Sequence, residues 1–317
     1  MASTPPQFSV VIPAYDEAPN LRPLATRLKA TLARLGIEDW EVLFVENGSV
    51  DGSLSLLEEL HREDPRIKYL SLSRNFGHAG AVCCGLDHAR GEHVVLMDGD
   101  QQDPPELIET FWEKLRAEGL DVVYGVRIKR EAQPWLHRLG MRWFYRIWRS
   151  TAYVHVPLDA GNFCLMKRPV VDALCTMRER GRFVPGLRAF SGFRQDGTPF
   201  ERPPRAAGEA KTSFAILTGL AMEGLLAFSI FPLRALLLTG LAAMGVSLVA
   251  ALVLLTLWVS WWFGWREAEP AYTLTTAFLV LLGGANMLGI GVVGEYVGRT
   301  YQEVKQRPIY LVRRSGL

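Results

Sequence analysis

The chain has 317 residues, a formal net charge of +2 and four cysteines. That length holds one α/β domain of about 200 residues plus a further part, and the near-neutral balance excludes nucleic-acid binding by bulk charge. Cys83, Cys84, Cys164 and Cys175 form neither a metal-binding spacing nor a disulfide framework, as expected of a reducing compartment.

Met1–Gln7 is polar and proline-rich, and the first apolar stretch, Phe8–Ile12, has the length of a strand, so no signal peptide is expected. From there short β-rich runs alternate with helical patterns. Phe8–Pro13, Glu41–Glu46, Ile67–Leu72, His93–Asp98 and Asp121–Gly125 predict strands. Leu21–Leu35, Ser53–Arg62, Ala79–Ala89 and Pro105–Glu118 predict the helices between them. The alternation predicts an α/β fold with a largely parallel sheet and helices on both faces. Ligands of such sheets bind beyond the carboxyl ends of the strands, so the polar residues that follow each strand are the candidates.

Asp98-Gly99-Asp100 follows the fourth strand. Two carboxylates at alternate positions past a strand can aim at one site, and hard oxygen ligands suit Mg²⁺ or Mn²⁺. Such an ion would bridge a diphosphate leaving group. Pro13-Ala14-Tyr15-Asp16-Glu17 closes the first strand, and Glu46-Asn47-Gly48-Ser49-Val50-Asp51 closes the second. Tyr15 is placed to contact a base, and the carboxylates to accept hydrogen bonds from a base or ribose; turn and helix-cap chemistry is the competing reading of each. Basic residues gather as Arg127, Lys129 and Arg130 and again as Arg202, Arg205 and Lys211. Their guanidinium forks match phosphate oxygens, against the alternative of solvated surface charge. No G-x-G-x-x-G fingerprint and no Walker A loop occurs, which removes dinucleotide oxidoreductases and P-loop NTPases.

The second half of the chain has a different character. Along 134–151, Arg138, Arg142, Arg146 and Arg149 fall within an arc of about 80° on a helical wheel, beside an apolar stripe of Leu139, Trp143 and Ile147. This predicts either a helix on anionic headgroups or a solvated basic face. Ser213–Phe231 has Glu223 as its one charge and predicts a helix lying along a membrane, or a buried domain helix. Ala235–Phe263 and Ala271–Gly294 carry no charged side chain; at about 1.5 Å per residue each is long enough for a hydrocarbon core of roughly 30 Å. Trp258, Trp261, Trp262 and Trp265 resemble an interfacial belt. Arg234 precedes the first run, and Arg299, Lys305, Arg307, Arg313 and Arg314 follow the second, whereas the connector Arg266-Glu267-Ala268-Glu269-Pro270 holds one Arg. The positive-inside rule then predicts an inner-membrane protein with both termini cytoplasmic. The expected organisation is a catalytic domain over 1–212, a juxtamembrane helix over 213–232, two spans over 233–299 with an outer loop at 264–270, and a cytoplasmic tail over 300–317. Ala285-x-x-x-Gly289 and Gly294-x-x-x-Gly298 permit close helix contact, within the chain or in a homo-oligomer.

Several stretches together resemble one family. They are Val10-Val11-Ile12-Pro13-Ala14-Tyr15, Leu72-Ser73-Arg74-Asn75-Phe76-Gly77, Met97 through Glu106, and Asp159-Ala160-Gly161-Asn162-Phe163. The likeness continues through Glu201-Arg202-Pro203-Pro204-Arg205, Gly208-Glu209-Ala210-Lys211 and Gly294-Glu295-Tyr296-Val297-Gly298-Arg299. Over nearly the whole length the chain resembles the polyprenyl-phosphate glycosyltransferases of glycosyltransferase family two. That group contains dolichyl-phosphate mannose synthase and the bacterial undecaprenyl-phosphate glucosyl- and aminoarabinosyltransferases.

The resemblance implies a GT-A fold that binds a nucleotide-diphosphate sugar, with Mg²⁺ or Mn²⁺, and transfers one sugar to a polyprenyl phosphate lipid with inversion. It assigns Pro13, Tyr15, Glu17 and Glu46 to the nucleotide, and Asp98, Asp100 and Gln102 to the metal and sugar diphosphate. Arg127, Arg205 and Lys211 are assigned to donor or acceptor phosphates, and Asp159 to the reacting centre; Arg130 and Arg202 of the basic clusters are candidates for the same phosphates. Asp16 stands where the family usually has Asn, Glu46-Asn47 replaces the usual Asp-Asp, and Ala210 replaces a common Ser. Two alternatives are a processive polysaccharide synthase, disfavoured because its Gln-x-x-Arg-Trp motif is absent, and a catalytically inactive membrane scaffold, disfavoured by the intact Asp98 and Asp100.

Overall fold

The computed structural model describes residues 5–127, 160–180, 182–201 and 272–317, with isolated positions between 233 and 263. Eight strands form one sheet: β1 Phe8–Ala14, β2 Trp40–Glu46, β3 Ile67–Leu72, β4 His93–Leu96, β5 Val122–Arg127, β6 Ala160–Lys167, β7 Gln195–Phe200 and β8 Val312–Gly316. The helices are α1 Ala18–Arg34, α2 Ser53–Glu63, α3 Gly77–His88, α4 Leu107–Ala117, α5 Arg168–Thr176, α6 Val184–Phe190 and α7 Tyr272–Val304.

The strand order is β7-β5-β6-β4-β1-β2-β3-β8. β4, β1, β2 and β3 run parallel, as do β5 and β7. β6 is antiparallel to both β4 and β5, and β8 is antiparallel to β3. The sheet is therefore mostly parallel, as the alternation predicts, with two reversed strands that it does not predict.

β1 and β2 are buried at every position, which is why they read as mostly apolar runs broken only by Ser9, Glu41 and Glu46: a parallel strand is covered on both faces. Val10, Ile12, Val42 and Phe44 pack with Leu21, Leu24, Leu28 and Leu32 of α1 on one face. Leu43, Val45, Leu70 and Leu72 pack with Ala81 and Cys84 of α3 on the other. Each fully buried leucine contributes about 1.5–3 kcal/mol, so α1 is held mainly by its apolar stripe. It begins at Ala18, earlier than the predicted Leu21, because Pro19 suits a first turn.

Two compact units divide the chain, one of residues 1–146, 154–221 and 307–317, the other of 147–153 and 222–306. The C-terminal segment belongs to the first. Beyond the β3–β8 pairing, Ser73 N–H donates to Leu311 O at 2.9 Å and Tyr310 Oη to Asp87 Oδ2 at 2.8 Å. Burial, then the Asp87 carboxylate, pushes the Tyr310 phenol far above its ordinary value. Residues 300–317, expected as a tail, thus supply the end of α7 and an edge strand.

In the second unit α7 covers the second uncharged run and continues to Val304. A Cβ at Gly289 would sit 3.2 Å from Leu236 Cδ1, so the small-residue face is used within the chain at that point. Leu279, Met287, Ile290, Val297 and Val304 are exposed. Among the described residues no helix is long and apolar enough to cross a membrane. The first uncharged run, the helix over 134–151 and the segment 213–232 lie outside the described residues or nearly so.

Candidate functional site

Ala14 and Glu46 are register partners at the ends of β1 and β2, so the loops that follow them rise together and are clipped to each other. Asp16 adopts a φ of 53°, a left-handed conformation that Asp tolerates. Its N–H donates to Ser49 Oγ at 3.0 Å, and its Oδ1 accepts the Val50 N–H at 3.0 Å. Ala18 N–H donates to Asp51 Oδ2 at 2.9 Å, while Asp51 Oδ1 accepts both the N–H and the hydroxyl of Ser53. Burial raises the Asp51 pKa, yet these hydrogen bonds outweigh it and hold the carboxyl below its usual range. Tyr15 and Glu17 are half-buried on the same loop, and Glu17 Oε2 accepts from Asn20 Nδ2 at 2.5 Å.

Glu46 is buried. Its Oε1 accepts the Ser49 N–H and its Oε2 the Ser71 hydroxyl at 2.6 Å. In this chain the acid assigned to the nucleotide shapes the loop that would carry the base. Asn47 performs a second latch: Oδ1 accepts the Phe76 N–H at 2.9 Å, and Nδ2 donates to Asn75 Oδ1 and Gly77 O at 3.2 and 3.1 Å. Gly48, at a φ of 73°, passes so close that a Cβ would lie 2.6 Å from the Arg74 carbonyl carbon, a distance no side chain tolerates.

Between these loops and β6 lies Asp98-Gly99-Asp100. β4 ends at Leu96, two residues before the predicted end, and the chain turns over β1: a Cβ at Gly99 would meet Pro13 O at 3.1 Å. Pro13 itself is buried within β1. The Asp98 N–H donates to Asp103 Oδ2 at 3.1 Å and the Gln102 N–H to Asp100 Oδ1 at 3.1 Å. On the outer side Gln101, at a φ of 60°, bonds Arg27 and Asn20 of α1. The loop is thereby fixed at both ends. Asp100 and Asp103 are buried, while Asp98 and Gln102 are partly exposed.

Because β6 runs antiparallel, its first residues lie at the carboxyl ends of β4 and β5. Leu96 pairs with Cys164 and Val126 with Ala160. The Arg127 guanidinium passes over Gly161, where a Cβ would be 3.5 Å from Nη2. Asn162 Nδ2 lies 2.8 Å from His78 Nε2, and that nitrogen lies 3.7 Å from Asp98 Oδ1. Pro13, Tyr15, Glu17, Glu46, Asp98, Asp100, Gln102 and Arg127 therefore share one edge of the sheet. Asp159, Arg130, Arg202, Arg205 and Lys211 lie outside the described residues. His78, Asn162 and Asp103 join the edge without having been singled out. His78 directly follows Asn75-Phe76-Gly77, and Asn162 lies inside a stretch that carried the resemblance, so both signals were present.

Residues 9–175 match the glycosyl transferase family 2 profile. The chain belongs to that family. It is a glycosyltransferase, and its mostly parallel sheet with the carboxylate loop at one edge is GT-A-like. Similarity extends beyond the matched residues. The chain is 37% identical to an uncharacterized glycosyltransferase of Synechocystis over 308 residues, covering 96% of this chain and 94% of that protein. It is 35% identical to a prophage bactoprenol glucosyl transferase homolog of Escherichia coli, covering 97% of this chain and 99% of that one. A bactoprenol glucosyl transferase of Shigella phage SfII is 34% identical, with 98% of each chain covered.

Proposed function

We propose that this glycosyltransferase is membrane-bound and moves one sugar from a nucleotide-diphosphate sugar, a UDP-sugar being favoured, to a polyprenyl phosphate such as undecaprenyl phosphate. The observation that carries this reading is the Asp98-Gly99-Asp100 loop, fixed at both ends on the ligand edge of the sheet and flanked by Arg127. The full-length similarity to proteins named bactoprenol glucosyl transferases supports the lipid acceptor.

The acceptor phosphate is ionised near neutral pH, so its oxygen attacks the anomeric carbon without a strong base. The new carbon–oxygen bond forms as the bond to the diphosphate breaks, and the nucleoside diphosphate leaves with the electron pair. In-line attack inverts the anomeric centre. The residues supply alignment and charge compensation rather than a proton relay. Arg127, Arg130, Arg202, Arg205 and Lys211 would hold donor and acceptor phosphates, and Asp159 would orient the sugar. Tyr15, Glu17 and the loop shaped by Glu46 would cradle the nucleoside. Asp98, Asp100 and Gln102 offer hard oxygen donors on the ligand edge, which fits Mg²⁺ or Mn²⁺, since such ions take one or two carboxylates and fill their shell with water and substrate phosphate. A cation there would supply charge neutralisation of the departing diphosphate.

The two uncharged runs would anchor the chain in the inner membrane, with the catalytic unit and both termini cytoplasmic. The exposed Met287, Ile290, Val293 and Val297 of α7 support this, because a row of large apolar side chains is costly in water. Nucleotide release by the detergent-purified protein tests the reading. UDP- and GDP-sugars would be assayed with and without undecaprenyl phosphate, with EDTA as control. Release that requires the lipid phosphate and stops with EDTA is the expected result; release indifferent to the lipid would overturn the acceptor. Crosslinking in membranes that yields only monomer would remove the homo-oligomer.

A further inference from the structure

Asn20 stands in the first turn of α1, three residues after Glu17, and is only 2% exposed. A buried amide is costly unless it is hydrogen-bonded, and both polar atoms of this side chain are engaged. Its Nδ2 donates to Glu17 Oε2 at 2.5 Å, and its Oδ1 accepts from Gln101 Nε2 at 3.2 Å. Gln101 Oε1 in turn accepts from Arg27 Nη1 at 3.3 Å, and Glu106 anchors Arg27 through Nε and Nη2. A guanidinium only donates and an ionised carboxylate only accepts, so the two ends fix the polarity of the whole row from Arg27 to Glu17. Turned over, the Asn20 amide would set oxygen against carboxylate and nitrogen against nitrogen.

The row joins two loops of the ligand edge. Glu17 belongs to the loop after β1, and its N–H also reaches Ser53 Oγ at the start of α2, at 3.3 Å. Gln101 lies between Asp100 and Gln102 at a φ of 60°, a backbone conformation uncommon outside glycine that persists where the surroundings enforce it. Its side chain is held by Asn20 and Arg27, both of α1. We propose that Asn20 is a positioning residue that sets the spacing between the nucleotide loop and the carboxylate loop, so that filling either end of the donor site favours filling the other. The inference rests on the reading above that Glu17 serves the nucleoside and the Asp98–Gln102 loop the divalent cation. Two sites that bias one shared element are coupled reciprocally, and the Asn20 amide is that element.

The test reads each end after a change at the other, in the full-length, detergent-purified protein. Binding of UDP, with GDP in parallel, is measured by calorimetry in EDTA. Binding of Mn²⁺ without nucleotide is counted from loss of the free-ion electron paramagnetic resonance signal. Gln101→Ala should weaken the nucleotide about fivefold or more, and Glu17→Ala should weaken Mn²⁺ by a similar factor. Asn20→Ala should weaken both, and in that background neither second change should add to the loss at the far end. Packing alone would lower Tm without linking the two ends. Cross-effects that are absent, or that persist undiminished without Asn20, would overturn the inference; if Asn20→Ala does not fold, the two outer variants decide by the first criterion. The direct effects separate the link from its foundation. Glu17→Ala that keeps its nucleotide affinity, or Asp100→Asn that keeps its Mn²⁺ affinity, overturns the site assignment. Loss of both ligands in those variants with no cross-effect overturns the link alone.

Discussion

The sheet and α7 use the same kinds of side chain to opposite ends. Val10, Val42, Phe44 and Val95 are fully or almost fully buried between helices, whereas Met287 is 71% and Val297 61% exposed. In the first unit the chain supplies its own apolar surroundings, and stability is internal. In the second, described apolar side chains such as Met287 and Val297 stay exposed, and a bilayer is the proposed partner. The contrast teaches that hydrophobic content by itself does not locate a core; the partner of each apolar face does.

The harshest test on the sheet side is Asp100→Ala. If the buried strands hold the fold and the loop only carries chemistry, turnover should fall at least about a thousandfold, equivalent to roughly 4 kcal/mol in barrier. The far-ultraviolet circular dichroism should stay unchanged. Retained turnover would remove Asp100 from the site. Next, Phe44→Ala should cost about 3–5 kcal/mol, whereas Met287→Ala in detergent should stay within about 0.5 kcal/mol; equal costs in thermal melts would erase the contrast. Ile290→Arg sharpens it from the other side. A central arginine opposes insertion by about 2.5–3.5 kcal/mol, so the protein should shift from the membrane to the soluble fraction. An unchanged distribution would deny lipid contact at that position.

Two smaller effects appear in acid. Burial drives the Glu41 pKa up, but Lys68, the Ser9 hydroxyl and the Arg90 N–H outweigh it and hold the carboxyl below its usual value. Its contribution is therefore present above about pH 4.3 and lost as pH falls through the lower folded value. Glu41→Gln should cost about 1–3 kcal/mol at pH 7 and flatten that acid limb. Burial between Phe8 and Trp112 lowers the pKa of His93. Stability from the neutral ring is complete above about pH 6.5 and declines below it. His93→Phe should leave stability at pH 7 within about 1 kcal/mol and abolish this first decline; melts that keep it would assign the decline to another group.

The parallel half of the fold was legible because β1 to β5 are short, apolar and punctuated by helical patterns. The two outermost strands were not. β7 reads Gln195-Asp196-Gly197-Thr198-Pro199-Phe200 and β8 reads Val312-Arg313-Arg314-Ser315-Gly316; both have turn or surface composition, and each is an outer strand whose pairing comes from its neighbour rather than from propensity. In the site the carboxylates at strand ends were visible as motifs, and the structure gathers them. The role of Glu46 was not legible, because its partner Ser71 is chosen by the β2–β3 register and Ser49 by the loop that follows β2. His78 was passed over although it directly follows Asn75-Phe76-Gly77, because only the antiparallel return of β6 brings Asn162 to it.

β8 pairs with β3 from the last residues of the chain, after α7 has been made. During synthesis the outer edge of β3 stays open while residues 73–311 emerge, and an open strand edge is a template for wrong partners. The sheet therefore closes last, and only in chains that have been translated through both uncharged runs. Any polypeptide ending within α7 would leave β3 bare, so the catalytic sheet is completed only by residues that follow both uncharged runs.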